Sequence, residues 1–119
     1  MILITDAMRA GGMGDGVWQL GGQDVTVHNR AARLSDGTLA GSTLALNEAV
    51  YNVLQNSDLK IHEAVALASL NPAKRLNLDH AKGSIKIGKD ADLIVFDEKF
   101  HIELTIVGGR IIYKQKQEQ

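Results

Sequence analysis

The acidic residue best placed for chemistry is Asp6, which ends the run Ile2-Leu3-Ile4-Thr5-Asp6 and is followed at once by Ala7-Met8-Arg9-Ala10-Gly11-Gly12-Met13-Gly14. Three consecutive apolar residues that stop at an Asp and run into a glycine-rich loop predict a short buried strand. Such a strand delivers a carboxylate to the mouth of an α/β fold, where these folds keep their chemistry. The competing reading is an Asp that only begins a turn, because Asp and Gly dominate turns for local hydrogen-bonding reasons. A second candidate is Leu39-Ala40-Gly41-Ser42. A Gly just before a capped helix leaves backbone N–H groups free to face a ligand, although an ordinary turn and N-cap accounts for the same residues.

Other constellations carry less. His28, His62, His80 and His101 lie 34, 18 and 21 positions apart, without the short spacing of a compact metal motif. Each reads as a solvated or locally bonded imidazole, so no metal site is expected from this chain alone. Gly11-Gly12-Met13-Gly14-Asp15-Gly16 follows an expected strand but lacks the Lys-Ser/Thr of a P-loop and the dinucleotide spacing, and it feeds no helix. Asp36, Asp90, Asp92 and Asp97 fall in turns. No Ser-His-Asp or Cys-His arrangement can be argued, and a single acid without a metal or nucleophile rarely makes an enzyme.

The elements that must position Asp6 and residues 39–42 follow from the pattern. Residues 17–20 and 24–28 read as strands around a Gly21-Gly22 turn, and Ala32-Arg33-Leu34 as a third strand closed by Ser35-Asp36-Gly37. This small antiparallel excursion returns at residues 38–42. Ser42 or Thr43 is then a natural N-cap for a helix ending near Asn56-Ser57, with Leu46, Ala49, Val50, Val53 and Leu54 on one face. A second helix after Ser57-Asp58 turns Ile61, Ala64, Val65 and Ala68 inward and stops before Pro72, which opens a short third helix over 73–76. From Gly83 the chain reads as strands: 84–87, 92–96, one carrying Ile102, Leu104 and Ile106, and 110–113 after a Gly108-Gly109 hairpin loop. Residues 114–119 are polar and expected to fray.

Bulk properties narrow the class. A length of 119 residues suits one domain or part of one, and falls short of the roughly 250 of a closed (β/α)₈ barrel. Thirteen Lys and Arg against 14 Asp and Glu give a net charge of -1, so neither nucleic acid nor an anionic membrane is expected as a partner. The absence of Cys removes disulfides and thiolate metal sites. With no long apolar run and no leader pattern, the expected location is cytoplasmic.

These residues resemble a known family. The run Leu3-Ile4-Thr5-Asp6-Ala7-Met8, then Gly11-Gly12, Leu20-Gly21-Gly22, residues 25–29 and Asp36-Gly37-Thr38-Leu39-Ala40-Gly41-Ser42, is similar to the carboxyl-terminal part of the N-acetylglucosamine-6-phosphate deacetylases. The stretch Gly83-Ser84-Ile85-Lys86-Ile87-Gly88-Lys89-Asp90-Ala91-Asp92-Leu93-Ile94-Val95-Phe96-Asp97 looks like the wider amidohydrolase superfamily, where the chain leaves the barrel for a small β-sandwich. The first block is specific for the deacetylases, the second only for the superfamily.

The resemblance implies an incomplete α/β fold. Residues 1–82 would be the last strand and helices of an amidohydrolase-type TIM barrel, and residues 83–119 carboxyl-terminal antiparallel strands of the β-sandwich. It implies hydrolysis of N-acetylglucosamine 6-phosphate to glucosamine 6-phosphate and acetate, with Asp6 as general base and acid on a metal-bound water. Leu39, Ala40 and Gly41 would line the sugar-phosphate site. The divalent metal, of zinc or iron class, is held in the complete enzyme by residues of earlier strands and by none here. The implied partners are the amino-sugar phosphate, the remainder of the deacetylase chain, and further copies of this chain recruited through bare strand edges. The isolated chain is expected to be inactive. Two alternatives stay open: a non-catalytic module that self-associates or completes another chain, and a piece of another amidohydrolase.

Overall fold

Alternation builds the first sheet. The strand β2 (Gln23–His28) buries Val25 and Val27 and exposes the residues between them, as a period of two requires. It lies between β1 (Gly16–Leu20) and β3 (Ala31–Arg33), and β4 (Leu39–Gly41) completes an antiparallel meander in the order β1-β2-β3-β4. Two-residue turns join Leu20 to Gln23 and His28 to Ala31. Met8, Ala10, Val25, Val27 and Ala32 form the buried core of this unit, with Trp18, Leu34 and Ala40 packed on it. The expected antiparallel excursion and its return near residue 39 are both present.

The opening stretch is not the buried strand that its composition predicts. Among the described residues, 1–6 form no ladder, Ile2 and Ile4 are 39% and 74% exposed, and the one strand-like contact beside them is a parallel bridge, Ala7 to Ser42. There the Met8 N–H donates to the Ser42 carbonyl at 2.8 Å. Apolar residues become a buried strand only when neighbouring strands and covering layers exist. Here the backbone is held instead at single points, such as the Leu3 N–H on the Leu67 carbonyl at 3.0 Å.

The structure, a computed structural model, describes residues 1–116, which divide into two compact units, residues 4–49 and residues 1–3 with the described residues from Val50 onward. The helix α1 (Leu46–Gln55) begins in one and ends in the other. This division follows packing, whereas the boundary expected after residue 82 follows the change from helices to strands. Helix α1 starts later than its expected caps. Ser42 Oγ accepts the Leu44 N–H at 3.0 Å and Thr43 Oγ1 donates to the Arg30 carbonyl at 2.6 Å, so both hydroxyls are used locally. The first helical bond runs from the Ala49 N–H to the Ala45 carbonyl, and Glu48 reaches back to the Ala45 N–H at 3.1 Å, taking one donor that a helix start leaves free.

The second unit packs α2 (Ile61–Ala66) and α3 (Leu70–Arg75) around Val50, Ala64 and Phe100, with Leu3, Tyr51, Leu54, Val65, Ala68 and Phe96 against them. Phe96 and Phe100 stack at 4.4 Å between ring centroids. Ile61, expected inward, is 52% exposed, because as the first residue of α2 it precedes the packed turn that buries Ala64. Pro72 does not open α3 but sits third in it, and Asn71 is helical. The missing N–H of Pro72 is harmless there, since no first-turn N–H has an intrahelical partner.

A second antiparallel sheet, β5-β6-β7, comprises β5 (Leu93–Phe96), β6 (Ile102–Val107) and β7 (Arg110–Lys114). Gly108 and Gly109, at φ 54° and 78°, close the two-residue loop between Val107 and Arg110, as the left-handed positions of such a turn demand. Lys114 pairs with Leu104, so strand order extends one residue further than expected, and residues 117–119 of the expected frayed tail lie outside the described residues. The strand expected at 84–87 is absent. Ile85 and Ile87 alternate as a strand would, but they are 87% and 107% exposed and belong to no ladder among the described residues. Two ammonium groups hold this segment instead. Lys82 Nζ bridges Asp90 and Asp92 at 2.8 and 2.6 Å, and Lys89 Nζ donates to the Asp79 carbonyl, the Lys82 carbonyl and Ser84 Oγ. Among the described residues no helix is long and apolar enough to cross a membrane.

Gly83 shows how tightly this segment meets the helices. At φ +82°, a Cβ there would lie 2.8 Å from Ala73 Cβ and 2.9 Å from Leu70 Cα. Gly83→Ala therefore combines a left-handed strain with an overpacked contact and should destabilise by about 2 kcal/mol or more; an unchanged urea midpoint would contradict this packing. The carboxylates give a pH dependence. The His101 and Lys99 N–H groups and the His101 ring hold Asp97 below the usual carboxylate range, and the Lys82 ammonium, then the Gly108 N–H, does the same for Asp92. A carboxylate depressed in the folded state contributes stability that is present above its unfolded pKa of 3.8 and lost as pH falls through the lower folded value. Urea midpoints should hold from neutral pH to about pH 4 and then fall, with a shallower fall in Asp97→Asn. A midpoint independent of pH down to about pH 2 would show that these contacts contribute nothing.

Candidate functional site

The parallel bridge brings the two candidate stretches together. Because Ala7 pairs with Ser42, Asp6 stands beside the end of β4, and Asp6, Leu39, Ala40 and Gly41 all line one concave site of about 580 Å³. Arg30, Ala31, Ser42, Thr43 and Leu44 complete its wall. Asp6 is exposed, its carboxylate has no partner among the described residues, and its φ is 48°. Asp tolerates that left-handed backbone better than most residues do.

Residues 39–41 are not the approach to a helix N-terminus that their sequence predicts. They are strand β4, paired Ala32 to Gly41 and Arg33 to Leu39, and the helix starts well beyond them. Sheet pairing uses part of their backbone, and what β4 gives the cavity is a wall: Leu39 is 64% exposed, while Ala40 and Gly41 are half-buried. A Cβ at Gly41 would lie 3.2 Å from Met8 Cβ and 3.4 Å from Met8 Sδ, so the missing side chain lets Met8, two residues after Asp6, pack onto the strand.

Arg30, Thr43 and Leu44 were not legible as site residues. Arg30 stands in the β2–β3 turn, where its guanidinium binds Glu48. Burial raises the Glu48 carboxyl, but the Ala45 N–H and the Arg30 side chain outweigh it and hold the group below its usual range. The one available signal was an Asn-Arg pair in a two-residue hairpin turn whose second position favours Gly.

The histidines stay outside this cavity. His28 Nδ1 lies 3.2 Å from Asp15, His101 Nδ1 lies 2.8 Å from Asp97, and His62 and His80 are exposed. Among the described residues no three His, Asp or Glu side chains converge as metal ligands. This donor set does not fit a metal ion.

The chain as a whole is matched by known proteins. The sequence profile of the amidohydrolase family covers residues 23–112, and the chain belongs to that family. Within it the chain is similar to N-acetylated amino-sugar-phosphate deacetylases. It is 44% identical to the N-acetylglucosamine-6-phosphate deacetylase of Bacillus subtilis over 98% of this chain and 30% of that one. It is 40% identical to a putative N-acetylgalactosamine-6-phosphate deacetylase of Escherichia coli over 93% of this chain and 66% of that one. The crystal structure of N-acetylglucosamine-6-phosphate deacetylase from Thermotoga maritima superposes with a TM-score of 0.85 at 37% identity, covering 97% of this chain and 31% of that one. The chain thus spans less than two thirds of the length of these relatives.

Proposed function

We propose that the chain forms part of an amidohydrolase that converts N-acetylglucosamine 6-phosphate to glucosamine 6-phosphate and acetate. One observation supports this above the rest: Asp6 and Leu39, Ala40 and Gly41, expected on separate stretches to serve as base and sugar wall, line the same cavity. In this reading the Asp6 carboxylate accepts a proton from the water that attacks the acetamide carbonyl carbon. It returns that proton to the sugar nitrogen as the C–N bond breaks, releasing acetate and the amine. Leu39, Ala40 and Gly41 hold the sugar so that the amide faces Asp6. Residues 1–82 serve as the closing part of the catalytic barrel and residues 83–119 as strands of the accompanying sandwich. The divalent metal of the family lies with residues other than these. The galactose epimer is the second substrate reading, favoured by the Escherichia coli relative.

Complementation tests the proposal. The 119-residue chain is mixed with the separately expressed remaining portion of the Bacillus subtilis deacetylase and a divalent metal, and acetate release from N-acetylglucosamine 6-phosphate is followed. Activity should require both pieces, and Asp6→Asn should lower it by about 10²-fold or more. Full activity with Asp6→Asn, or none from a folded and metal-loaded complex, would overturn the role given to Asp6.

Structural self-association is the reading from a different class, and specific residues favour it. Among the described residues β5 and β7 are open edges, and Ile94, Val107, Ile111, Ile112 and Tyr113 are 48–64% exposed. Open edges with apolar faces pair with other strands. Alone, the chain should sediment as dimers or larger species at micromolar concentration; a single monomeric boundary would remove this reading.

A further inference from the structure

We propose that a second copy of this chain docks through unlike sheet edges, the cationic β7 of one copy lying along the acidic β5 of the next, so that the three-stranded sheets join head to tail. The inference rests on the self-association reading above and assigns its mode.

Two open edges of opposite charge carry it. Among the described residues β5 and β7 each pair with β6 alone, and every residue of β7 is exposed. Ile94 and Val95 on β5, and Ile111 and Ile112 on β7, are 46–64% exposed. Successive residues point to opposite faces of a strand, so both faces of each edge are apolar and open. Such an edge is a template for another strand. The flanking charges decide which strand that is. Residues 90–98 hold Asp90, Asp92, Asp97 and Glu98 and no Lys or Arg, whereas residues 110–116 hold Arg110, Lys114 and Lys116 and no Asp or Glu.

A twofold dimer built on these strands must pair an edge with itself. Antiparallel β7 strands would set Arg110 near the other copy's Lys114, and antiparallel β5 strands would set Asp92 near the other copy's Asp97. Like charges opposite one another destabilise a cross-strand pair. An unlike joint has no such conflict. A carboxylate flanks each end of β5 and a cation stands at each end of β7, so the charges match whether the joined strands run parallel or antiparallel. Local bonds fix the carboxylates at the edge: Asp92 accepts Lys82 Nζ at 2.6 Å and the Gly108 N–H at 2.8 Å, and Asp97 accepts the Lys99 and His101 N–H groups at 2.8 and 2.9 Å. Lys82, shared between Asp90 and Asp92, offsets one of the four acids and leaves the excess negative. Each unlike joint leaves one β5 and one β7 unpaired at its ends. The contact is therefore heterologous, and copies add until a ring closes or a filament runs on.

Sedimentation velocity of the 119-residue chain and of two edge variants tests this, with circular dichroism verifying that each variant keeps its fold. Ile94→Lys places a cation on β5, and the double variant Arg110→Glu, Lys114→Glu reverses β7. All three positions are exposed. The unaltered chain should form species whose size rises with concentration, and raising salt from about 0.1 to 1 M should weaken them about threefold or more, as screening shortens from about 10 to 3 Å. Each variant alone should be a monomer. Mixed in equal amounts, they should stop at a dimer, because only one unlike joint can form. If one variant alone still dimerises, like edges pair and the head-to-tail mode is wrong. If the unaltered chain associates but neither variant nor salt changes its size, self-association stands and these edges do not carry it. A monomeric unaltered chain removes both the self-association reading and this inference.

Discussion

One backbone contact organises the unit of residues 4–49: the parallel bridge between Ala7 and Ser42, with the Met8 N–H on the Ser42 carbonyl. It joins two segments that share no other ladder bond, one carrying Asp6 and the other Leu39, Ala40 and Gly41. Gly41 permits it, because a side chain there would press on Met8. The meander of β1 to β4 supplies the rigid edge on which this bridge rests. Without that edge the carboxylate and the strand wall would be neighbours only in sequence pattern.

The reading of the sequence succeeded where local chemistry and packing agree. Alternation over 24–28, the glycine pairs at 21–22 and 108–109, and the helical spacing of Ala49, Val50, Val53 and Leu54 each specify an element whose partners lie next to it in the chain. The deacetylase-like residues Asp6, Leu39, Ala40 and Gly41 line one cavity, a nearness that neither stretch shows by itself. The residues that failed are those whose outcome depends on distant partners. Ile2 and Ile4 have the composition of a buried parallel strand, and Ile85 and Ile87 the alternation of a strand face, yet all four stand exposed. Periodicity reports a capacity to pair, and only a neighbour at hydrogen-bonding distance turns it into a ladder.

Arg30 was invisible for another reason. Its place on the cavity wall comes with a left-handed turn position, hinted at only by the Asn-Arg pair, and with a bond to Glu48, 18 positions away. Ser42 and Thr43 misled similarly: as residue types both are good helix caps, but the structure spends their hydroxyls on the Leu44 N–H and the Arg30 carbonyl. A hydroxyl with several acceptable partners is settled by geometry, not by preference.

The meander and its bridge also differ in how much chain each must close. Hairpins joined by two residues order themselves at little entropic cost, whereas Ala7 and Ser42 enclose 34 intervening residues, and closing a longer loop costs more. Partial openings begin at such contacts, held by few bonds across a long loop. The sheet can therefore stay zipped while the Asp6 segment lifts away, so one wall of the cavity can open within a scaffold that keeps its own ladder bonds.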